Sequence, residues 1–193
     1  FCTRVRNLVA GDPLLEVLTE SMTACWQVLW DEYRKLHKLL VQLVGQEELC
    51  RRWCEIPGVG PVAAMTFMAA VDDPRRFGKS KTLGAHFGLT PRREQSGTSV
   101  DRAGHVSRRG DGEVRTVLYE AASGMLTRSK QHSTLKAWGM RISAKRGHKR
   151  AVVAIARKLA VIMHRMWIDG STFRFSTKET VSEGTATASL VLA

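Results

Sequence analysis

Apolar residues recur at helical spacing along most of the chain, and the longest such pattern lies in the first 46 residues. Asp12 and Pro13 are typical of a helix start, since Asp accepts hydrogen bonds from free backbone N–H groups and Pro fits the first turn. Beyond them the apolar positions alternate at spacings of four and three, the heptad pattern of a helix that packs along a seam. The seam consists of Met22, Trp26, Leu29, Tyr33, Leu36, Leu40 and Leu43. The pattern predicts a coiled-coil-like helix that ends at Gly45 and packs either in a helical hairpin or against a second copy.

The patterns along the rest of the chain predict an all-α architecture in three parts. A linker helix over residues 1–46 leads into a helical domain over residues 47–168, whose apolar stripes are separated by Gly and Pro. The stretch 72–104 contains seven Gly and Pro residues, and we expect short helices joined by loops there. Asp111 can cap the helix that follows, and a further helix is expected over residues 130–146. Residues 169–193 are rich in Ser, Thr, Gly and Ala, a composition that predicts a disordered tail. We find no strand pattern in the sequence.

A Gly-rich turn between two helical segments is the first candidate binding element. Gly58 and Gly60 allow the backbone to turn tightly and to approach a ligand, with N–H groups of the next helix free for a phosphate. Val59 fills the hairpin, and the small Ala63 allows the helices to cross closely. These features predict a helix-hairpin-helix element that contacts nucleic acid through Gly58, Val59 and Gly60. A plain structural turn is the alternative interpretation.

Charge strengthens the nucleic-acid interpretation because it is concentrated in one part of the chain. The net charge is +12 over 193 residues, but residues 75–168 alone hold 21 Lys and Arg against 5 Asp and Glu. Such a one-sided segment repels itself unless a polyanion compensates it, which favours nucleic acid over an anionic membrane or an acidic protein. The longest aliphatic run, 151–156, is too short to span a bilayer. The four cysteines lack the paired spacing of a zinc site, which indicates reduced thiols in the cytoplasm.

Several separated motifs resemble one protein family. They are Gly88-Leu89-Thr90-Pro91, Gln95-Ser96-Gly97, Ser107-Arg108-Arg109-Gly110 and Val114-Arg115, in that order after the Gly-rich turn. The arrangement is similar to the C-terminal domain of DEDD-type insertion-sequence transposases, the insertion sequence 110 family, which is related to the Piv-type invertases. The resemblance covers roughly residues 45–168.

The resemblance implies a transposase, a site-specific DNA recombinase, in which Ser96 is the nucleophile for DNA strand exchange. In the family, three Asp and one Glu of an N-terminal RuvC-like domain hold a divalent metal, expected to be Mg²⁺. The chain begins with Phe1 rather than Met, so we expect it to be a fragment without that domain, with no cofactor of its own and incomplete alone. The resemblance further implies DNA and a structured guide RNA as partners, a homo-oligomer formed through the linker helix, no membrane, and a location at the bacterial nucleoid.

Arginines surround Ser96 in the sequence and are the candidate phosphate ligands. A guanidinium group can hold a phosphate through two hydrogen bonds and offset the charge that grows in the transition state. The candidates are Arg92, Arg93, Arg102, Arg108, Arg109 and Arg115, of which Arg92 and Arg93 are favoured for proximity. Ser99 and Ser107 are the competing serines. Two further functions stay open: a non-catalytic helix-hairpin-helix module that binds DNA or RNA, and a basic RNA-binding protein of ribosomal type.

Overall fold

The computed structural model of the protein describes residues 1–96 and 100–176, with the backbone alone at 94–96 and 100–103. In that part of the chain α-helices predominate and the strands form a single antiparallel pair, so the all-α prediction is confirmed apart from a small hairpin. The chain divides into two compact units, Phe1–Leu43 and the remainder from Val44. None of the described helices is both long and apolar enough to cross a bilayer.

The first unit consists of helix α1 (Cys2–Val9) and most of helix α2 (Pro13–Gln46). The predicted start of the long helix is confirmed, because one carboxylate oxygen of Asp12 accepts hydrogen bonds from the backbone N–H of Leu14 and Leu15, at 3.1 and 3.2 Å. The 34 residues of α2 correspond to a length of about 50 Å at 1.5 Å per residue.

The predicted seam of α2 is largely exposed. Met22, Leu29 and Leu36 are 72%, 65% and 66% exposed. Aromatic side chains along the same helix stack in succession, with ring centroids 5.5–5.8 Å apart, in the order Trp26, Trp30, Tyr33 and His37. Phe1 adds a tilted contact to Trp26 at 5.2 Å. The helix therefore carries an apolar and aromatic side that the described residues of its own unit leave exposed.

Six helices and two short 3₁₀ turns build the described part of the second unit. The helices are α3 (Glu48–Cys54), α4 (Pro61–Val71), α5 (Leu83–His86), α6 (Gly112–Thr127), α7 (Thr134–Arg146) and α8 (His148–Asp169), and the turns are Pro74–Arg76 and Ser80–Thr82. The predicted cap of α6 is confirmed, since Asp111 accepts hydrogen bonds from the N–H groups of Glu113 and Val114 at 2.8 and 3.2 Å. Helix α7 begins later than the predicted residue 130, because the hydroxyl of Ser133 caps it by accepting from the N–H of Lys136 at 3.1 Å.

The core of this unit is organised around α8, which packs on α6 and α7 and on the short helices before the strands. Trp53 is fully buried, and its indole N–H donates to the carbonyl of Met163 at 3.0 Å, so the one polar atom of its ring is satisfied. Its ring meets Phe67 and Trp167 edge-on, at 5.3 and 5.4 Å. Aromatic contacts thus fix α3 and α4 against the C-terminal part of α8.

His164 of α8 is also fully buried and joins the two 3₁₀ turns to the core. Its Nε2 lies 2.9 Å from the carbonyl oxygen of Pro74, and its Nδ1 lies 2.9 Å from the hydroxyl of Ser80. The carbonyl can only accept, so Nε2 donates to it. The imidazole of His164 thereby holds the irregular stretch that leads to the strands.

The prediction that residues 72–104 contain only helices and loops is wrong in its second half. Strand β1 (Pro91–Ser96) pairs antiparallel with strand β2 (Val100–Val106). Both strands are polar, so they show none of the apolar alternation by which a half-buried strand is identified. Two features favour the pairing. Pro91 directs the preceding Thr90 toward extended backbone, and the start of β1 and the end of β2 are both anchored.

The end of α8 at Asp169 lies next to the boundary predicted for the tail. The following residues still contact the domain: Phe173 is buried, and the carbonyl of Phe175 accepts from the N–H of Thr134 at 2.9 Å. The rest of the tail predicted to be disordered, residues 177–193, lies outside the described residues.

Candidate functional site

The Gly-rich turn between α3 and α4 packs against α6 on one side. Gly58 has φ +89°, and a Cβ there would overlap the carbonyl oxygen of Ala121 and lie 2.8 Å from the backbone N of Met125. Val59 is buried as predicted. Gly58 and Val59 therefore contribute to internal packing, Gly58 through a close backbone approach to α6, and their contact with nucleic acid stays a prediction.

Gly60 differs from Gly58 because it faces open space. No atom lies within 4 Å of the position that a Cβ would take, and no side chain caps α4 at this residue. A hollow of about 540 Å³ lies beside the turn and is also lined by Arg128, Ser129 and Gln131 from the end of α6. Gly58 and Gly60 both line this hollow, but a side chain at Gly60 would extend into free space whereas one at Gly58 would meet α6.

Arg128 is a residue of this hollow that the sequence did not single out. It follows α6, 70 positions after Gly58, so no local motif connects it with the turn. Its guanidinium lies over Gly124, where a Cβ would come within 3.3 Å of Nη2. The small residue at position 124 thus lets the arginine lie along the helix end and line the hollow.

The hairpin formed by β1 and β2 carries the predicted nucleophile at its far end. Ser96 is the last residue of β1 and is the Cα partner of Val100, so only residues 97–99 separate the two strands at the tip. The side chain of Ser96 and all of Ser99 lie outside the described residues. The backbone therefore places Ser96 at the hairpin tip, about 16 Å along the strand from Pro91 at 3.3 Å per residue.

The base of the hairpin is held backbone to backbone. Ser107 donates its N–H to the carbonyl of Thr90 at 2.9 Å, and Arg108 donates to that of Gly88 at 3.2 Å. Gly88 and Gly110 have φ +66° and +88°, and in both a Cβ would overlap the backbone of the opposite segment. We call this arrangement, residues 86–90 against 107–111, the hairpin base.

Arg115 fixes the hairpin base to α6. Its Nη1 donates to the carbonyl oxygens of Phe87, at 3.2 Å, and Asp111, at 3.4 Å. Phe87 and Leu89 are buried, so the strand that enters the hairpin starts from the core. Arg115 was predicted to bind nucleic acid, and the structure shows that this arginine is engaged with two backbone carbonyls.

The other predicted arginines fall at different heights along the hairpin. Arg108 and Arg109 are exposed at the hairpin base, so the backbone does not bring them next to Ser96 at the tip. Arg92 and Arg93 are exposed on β1, four and three residues before Ser96. Arg102 is the Cα partner of Glu94, which puts its backbone about 7 Å from Ser96 along the strand direction. By this register Arg102 is nearer to Ser96 than Arg92 or Arg93, which were favoured on sequence proximity.

The placement of Cys50 and Cys54 supports neither nucleophilic nor metal chemistry. Burial raises the pKa of the Cys50 thiol to about 11, and burial also raises the pKa of Cys54. Both thiols are therefore protonated at neutral pH. Nowhere in the described ranges do three or more His, Cys, Asp or Glu side chains form a group that could hold a metal ion.

Comparison with known proteins gives one family for the region that contains the turn and the hairpin. Residues 50–138 match the family model "Transposase IS116/IS110/IS902 family". The chain is 31% identical over 172 residues to a putative transposase y4pF/y4sB of Sinorhizobium fredii, which covers 86% of this chain and 44% of the relative. It is 36% identical to the transposase for insertion sequence element IS1111A of Coxiella burnetii, over 66% of this chain and 35% of the relative.

A relative with a different name extends the comparison. The chain is 28% identical over 110 residues to the pilin gene-inverting protein of Moraxella bovis, which covers 56% of this chain and 34% of the relative. In each of these comparisons the chain spans less than half the length of the curated relative.

Proposed function

Through residues 50–138 the chain belongs to the transposase IS116/IS110/IS902 family, and from that membership we propose that it supplies the serine nucleophile of a DNA recombinase. One observation supports the proposal most directly. Ser96 ends a strand whose opposite end is fixed in the hairpin base, so the residue is presented at the tip of an element with a rigid origin. A nucleophile must be oriented toward its target, and a fixed base provides that orientation.

The proposed chemistry is an exchange of one phosphate ester for another. The Oγ of Ser96 attacks the phosphorus of a DNA phosphodiester, a Ser–O–P bond forms, and the bond from phosphorus to one sugar oxygen breaks. The serine proton ends on the departing sugar oxygen, which leaves as a hydroxyl. Because one P–O ester bond replaces another, the step needs no external energy source, and the reverse step can join a different DNA end.

The arginines on the hairpin are proposed as the phosphate ligands for this step. Arg92 and Arg93 are exposed on β1, and Arg102 is the backbone position nearest to Ser96 among the predicted set. Guanidinium groups neutralise the charge on the phosphate oxygens as the attacking oxygen approaches. Arg108 and Arg109, exposed at the hairpin base, are proposed to contact the DNA backbone away from the reacting phosphate.

Divalent metal is proposed to come from outside the described residues. Among the described residues, no three or more Asp, Glu, His or Cys side chains form a cluster that could hold a metal ion, so this part of the chain does not fit Mg²⁺. The family resemblance implies that an RuvC-like domain of the complete enzyme holds the metal. We therefore propose that the chain acts as one half of a composite active site.

The experiment that tests the nucleophile compares Ser96→Ala with Ser107→Ala in the complete transposase. Ser107 is a matched control, because it lies in the hairpin base and contributes its backbone N–H rather than its hydroxyl. We expect Ser96→Ala to abolish strand exchange and the covalent protein–DNA adduct while DNA affinity stays unchanged, and Ser107→Ala to keep all three. Strand exchange by the Ser96→Ala protein would remove Ser96 from the nucleophile role.

Assembly and further partners form the second part of the proposal. The exposed side of α2, with Leu29 and Leu36 about two-thirds exposed, supports a homo-oligomer in which two copies pack along this helix. DNA is a partner because it is the substrate of the proposed reaction, and a structured guide RNA is a partner that the family resemblance implies. The site of action is then the bacterial cytoplasm, at the nucleoid.

A non-catalytic helix-hairpin-helix module that binds DNA or RNA is the alternative function, and the hollow beside Gly60 favours it. Gly60 is half-buried with free space at its Cβ position, and Arg128 lines the same hollow. Under this alternative Gly60→Val, which fits the space, reduces nucleic-acid affinity as strongly as Arg128→Gln, and Ser96→Ala has no effect on any activity. Strand exchange that depends on Ser96 would contradict it.

A further inference from the structure

A basic surface is built by α7 and α8, outside the turn and the hairpin. The two helices are joined at Gly147 and pack side by side. A Cβ on Gly139 of α7 would lie 2.9 Å from Cγ1 of Ile155 on α8, and Lys158 of α8 lies over the ring of Trp138 of α7. In both pairs the two residues lie at nearly equal sequence distances from Gly147, so the helices run antiparallel. Residues 145–150 form the end of this helix pair, where the chain turns. The six basic residues that we call the α7–α8 basic surface are Arg141, Lys145, Arg146, Lys149, Arg150 and Lys158.

The charges of this surface are not compensated within the described chain. All six side chains are exposed, and none of them forms a hydrogen bond or an ion pair with a side chain of a described residue. The sequence from 121 to 168 contains no Asp or Glu. Lys149 and Arg150 also lie in the first turn of α8, where the helix dipole is already positive. The free chain therefore holds like charges together, an arrangement that a bound polyanion relieves.

The arrangement of the basic side chains fits a row of phosphates. Trp138, Arg141, Ile142 and Lys145 follow one another at spacings of three, one and three, so they share one side of α7, and with Arg146 they line a shallow hollow of about 220 Å³. Arg141 and Lys145 are about 6 Å apart along the helix axis at 1.5 Å per residue. Exposed cations repeated at this interval can contact successive phosphates of one strand.

Trp138 indicates which form of nucleic acid fits. Proteins that bind single strands offer free aromatic faces on which bases stack. The ring of Trp138 is covered by the ammonium group of Lys158, 4.5 Å from its centroid, so this face is not free for a base. An anionic membrane would require several bulky apolar side chains exposed among the cations. On α7 Met140 is 51% exposed, whereas Ile142 and Trp138 are half-buried.

From this placement we propose that the α7–α8 basic surface binds the phosphate backbone of a nucleic-acid duplex, independently of base sequence. The proposal adds an interface to the one assigned to the hairpin, and it does not depend on the chemistry of Ser96. A recombinase that handles a reacting strand at one element needs to hold the flanking duplex at another, and this surface has the charge for that task.

The test uses the 193-residue chain and compares two variants of equal charge. In the surface variant Lys145, Arg146, Lys149 and Arg150 are replaced by Gln. In the control variant Arg4, Arg6, Arg34 and Lys38, all exposed on α1 and α2, are replaced by Gln, so both variants have four fewer positive charges. Affinity for a short duplex of arbitrary sequence is measured by fluorescence anisotropy over a range of salt concentrations. Far-UV circular dichroism checks that the helices remain.

We expect the affinity of the surface variant to depend much less on salt. The slope of log affinity against log salt concentration should fall by about 0.9 for each phosphate of B-DNA that the variant no longer neutralises. The control variant should keep a slope near that of the unsubstituted chain. A third variant, with Lys and Arg exchanged at the same four positions, should restore the slope because only charge is required. DNA and RNA duplexes are measured separately, and a weaker salt dependence on either supports the proposal.

Equal reductions in the surface and control variants would overturn the proposal, since binding would then follow total charge. A reduction confined to single strands or to anionic vesicles would also overturn it. The outcome is separable from that of the recombination experiment, because Ser96→Ala is expected to leave the salt dependence of duplex binding unchanged.

Discussion

Gly110 lies directly against the carbonyl of His86, so that the backbone after the hairpin touches the backbone before it with no side chain between them. Gly88 makes the reciprocal approach to Arg109 from the other segment. Two glycines at positive φ thus close the hairpin base, and each contact is one that any larger residue would separate.

The first prediction concerns this closure. We expect Gly88→Ala and Gly110→Ala each to lower the free energy of unfolding by about 2–4 kcal/mol, because alanine adds left-handed backbone strain and a steric overlap. Gly78→Ala is the matched control, since nothing lies within 4 Å of its Cβ position and its φ is not positive. Urea denaturation measures all three, and an equal effect in the control would show that the two contacts are unimportant.

The second prediction separates two roles for Arg115. If the side chain acts by donating to Phe87 and Asp111, Arg115→Gln lowers stability by about 1 kcal/mol and leaves the salt slope of DNA binding as it was. A phosphate ligand would instead lower that slope by about 1, at unchanged stability. Denaturation and salt titration on the same variant decide between the two.

The third prediction tests assembly through α2. Replacing Leu29 and Leu36 with Lys places charges on the exposed seam, so we expect the sedimentation profile to shift toward monomer. Val28 and Leu39 are also exposed on α2 but do not belong to the seam, which makes their double replacement by Lys the matched control. A profile that is unchanged in the seam variant would mean that oligomers form elsewhere.

The fourth prediction follows from the raised pKa of the Cys50 thiol, which burial moves to about 11 from an ordinary value of 9.0. Above pH 9 the unfolded chain loses this proton and the folded chain keeps it, so unfolding is favoured as pH rises toward 11. We expect stability to fall by up to about 2 kcal/mol over that interval, and by less in Cys50→Ala, in which the raised pKa of Cys54 remains. Denaturation of both proteins as a function of pH checks this, and parallel curves would contradict it.

Iodoacetamide offers a second measurement of the same property. Cys25 is exposed and should react in the native protein, whereas Cys50 should react only after denaturation. Rapid native labelling of Cys50 would show that its burial is incomplete.

The features that were predicted correctly from the sequence depend on local physical signals. The long helix, its Asp12 cap and the Asp111 cap depend on neighbouring residues, and the sequence predicted all three. The sequence also indicated that Gly58 allows a tight turn and a close backbone approach. The residue it approaches is Ala121 on α6, 63 positions away, and a turn motif does not predict such a distant contact.

The hairpin was missed for a related reason. Its strands are polar, and what fixes them is the backbone contact of Gly88 with Arg109 and of Gly110 with His86, which no periodicity reveals. The contact of Arg115 with the carbonyl of Phe87 was not anticipated, because an arginine beside a basic loop looks the same in a sequence whether it meets a phosphate or a backbone carbonyl.

The tryptophans give the two compact units separate optical signals. Trp26 and Trp30 are 39% and 43% exposed in the first unit, while Trp53 is fully buried in the second. Emission from water-exposed indoles lies at longer wavelength than emission from buried ones. Trp138 and Trp167 of the second unit are half-buried, so the long-wavelength side of the spectrum comes mostly from the first unit. Quenching by iodide should remove the long-wavelength component first, and covering of α2 by a second copy should protect it. The chain thus reports on its own assembly without an attached dye.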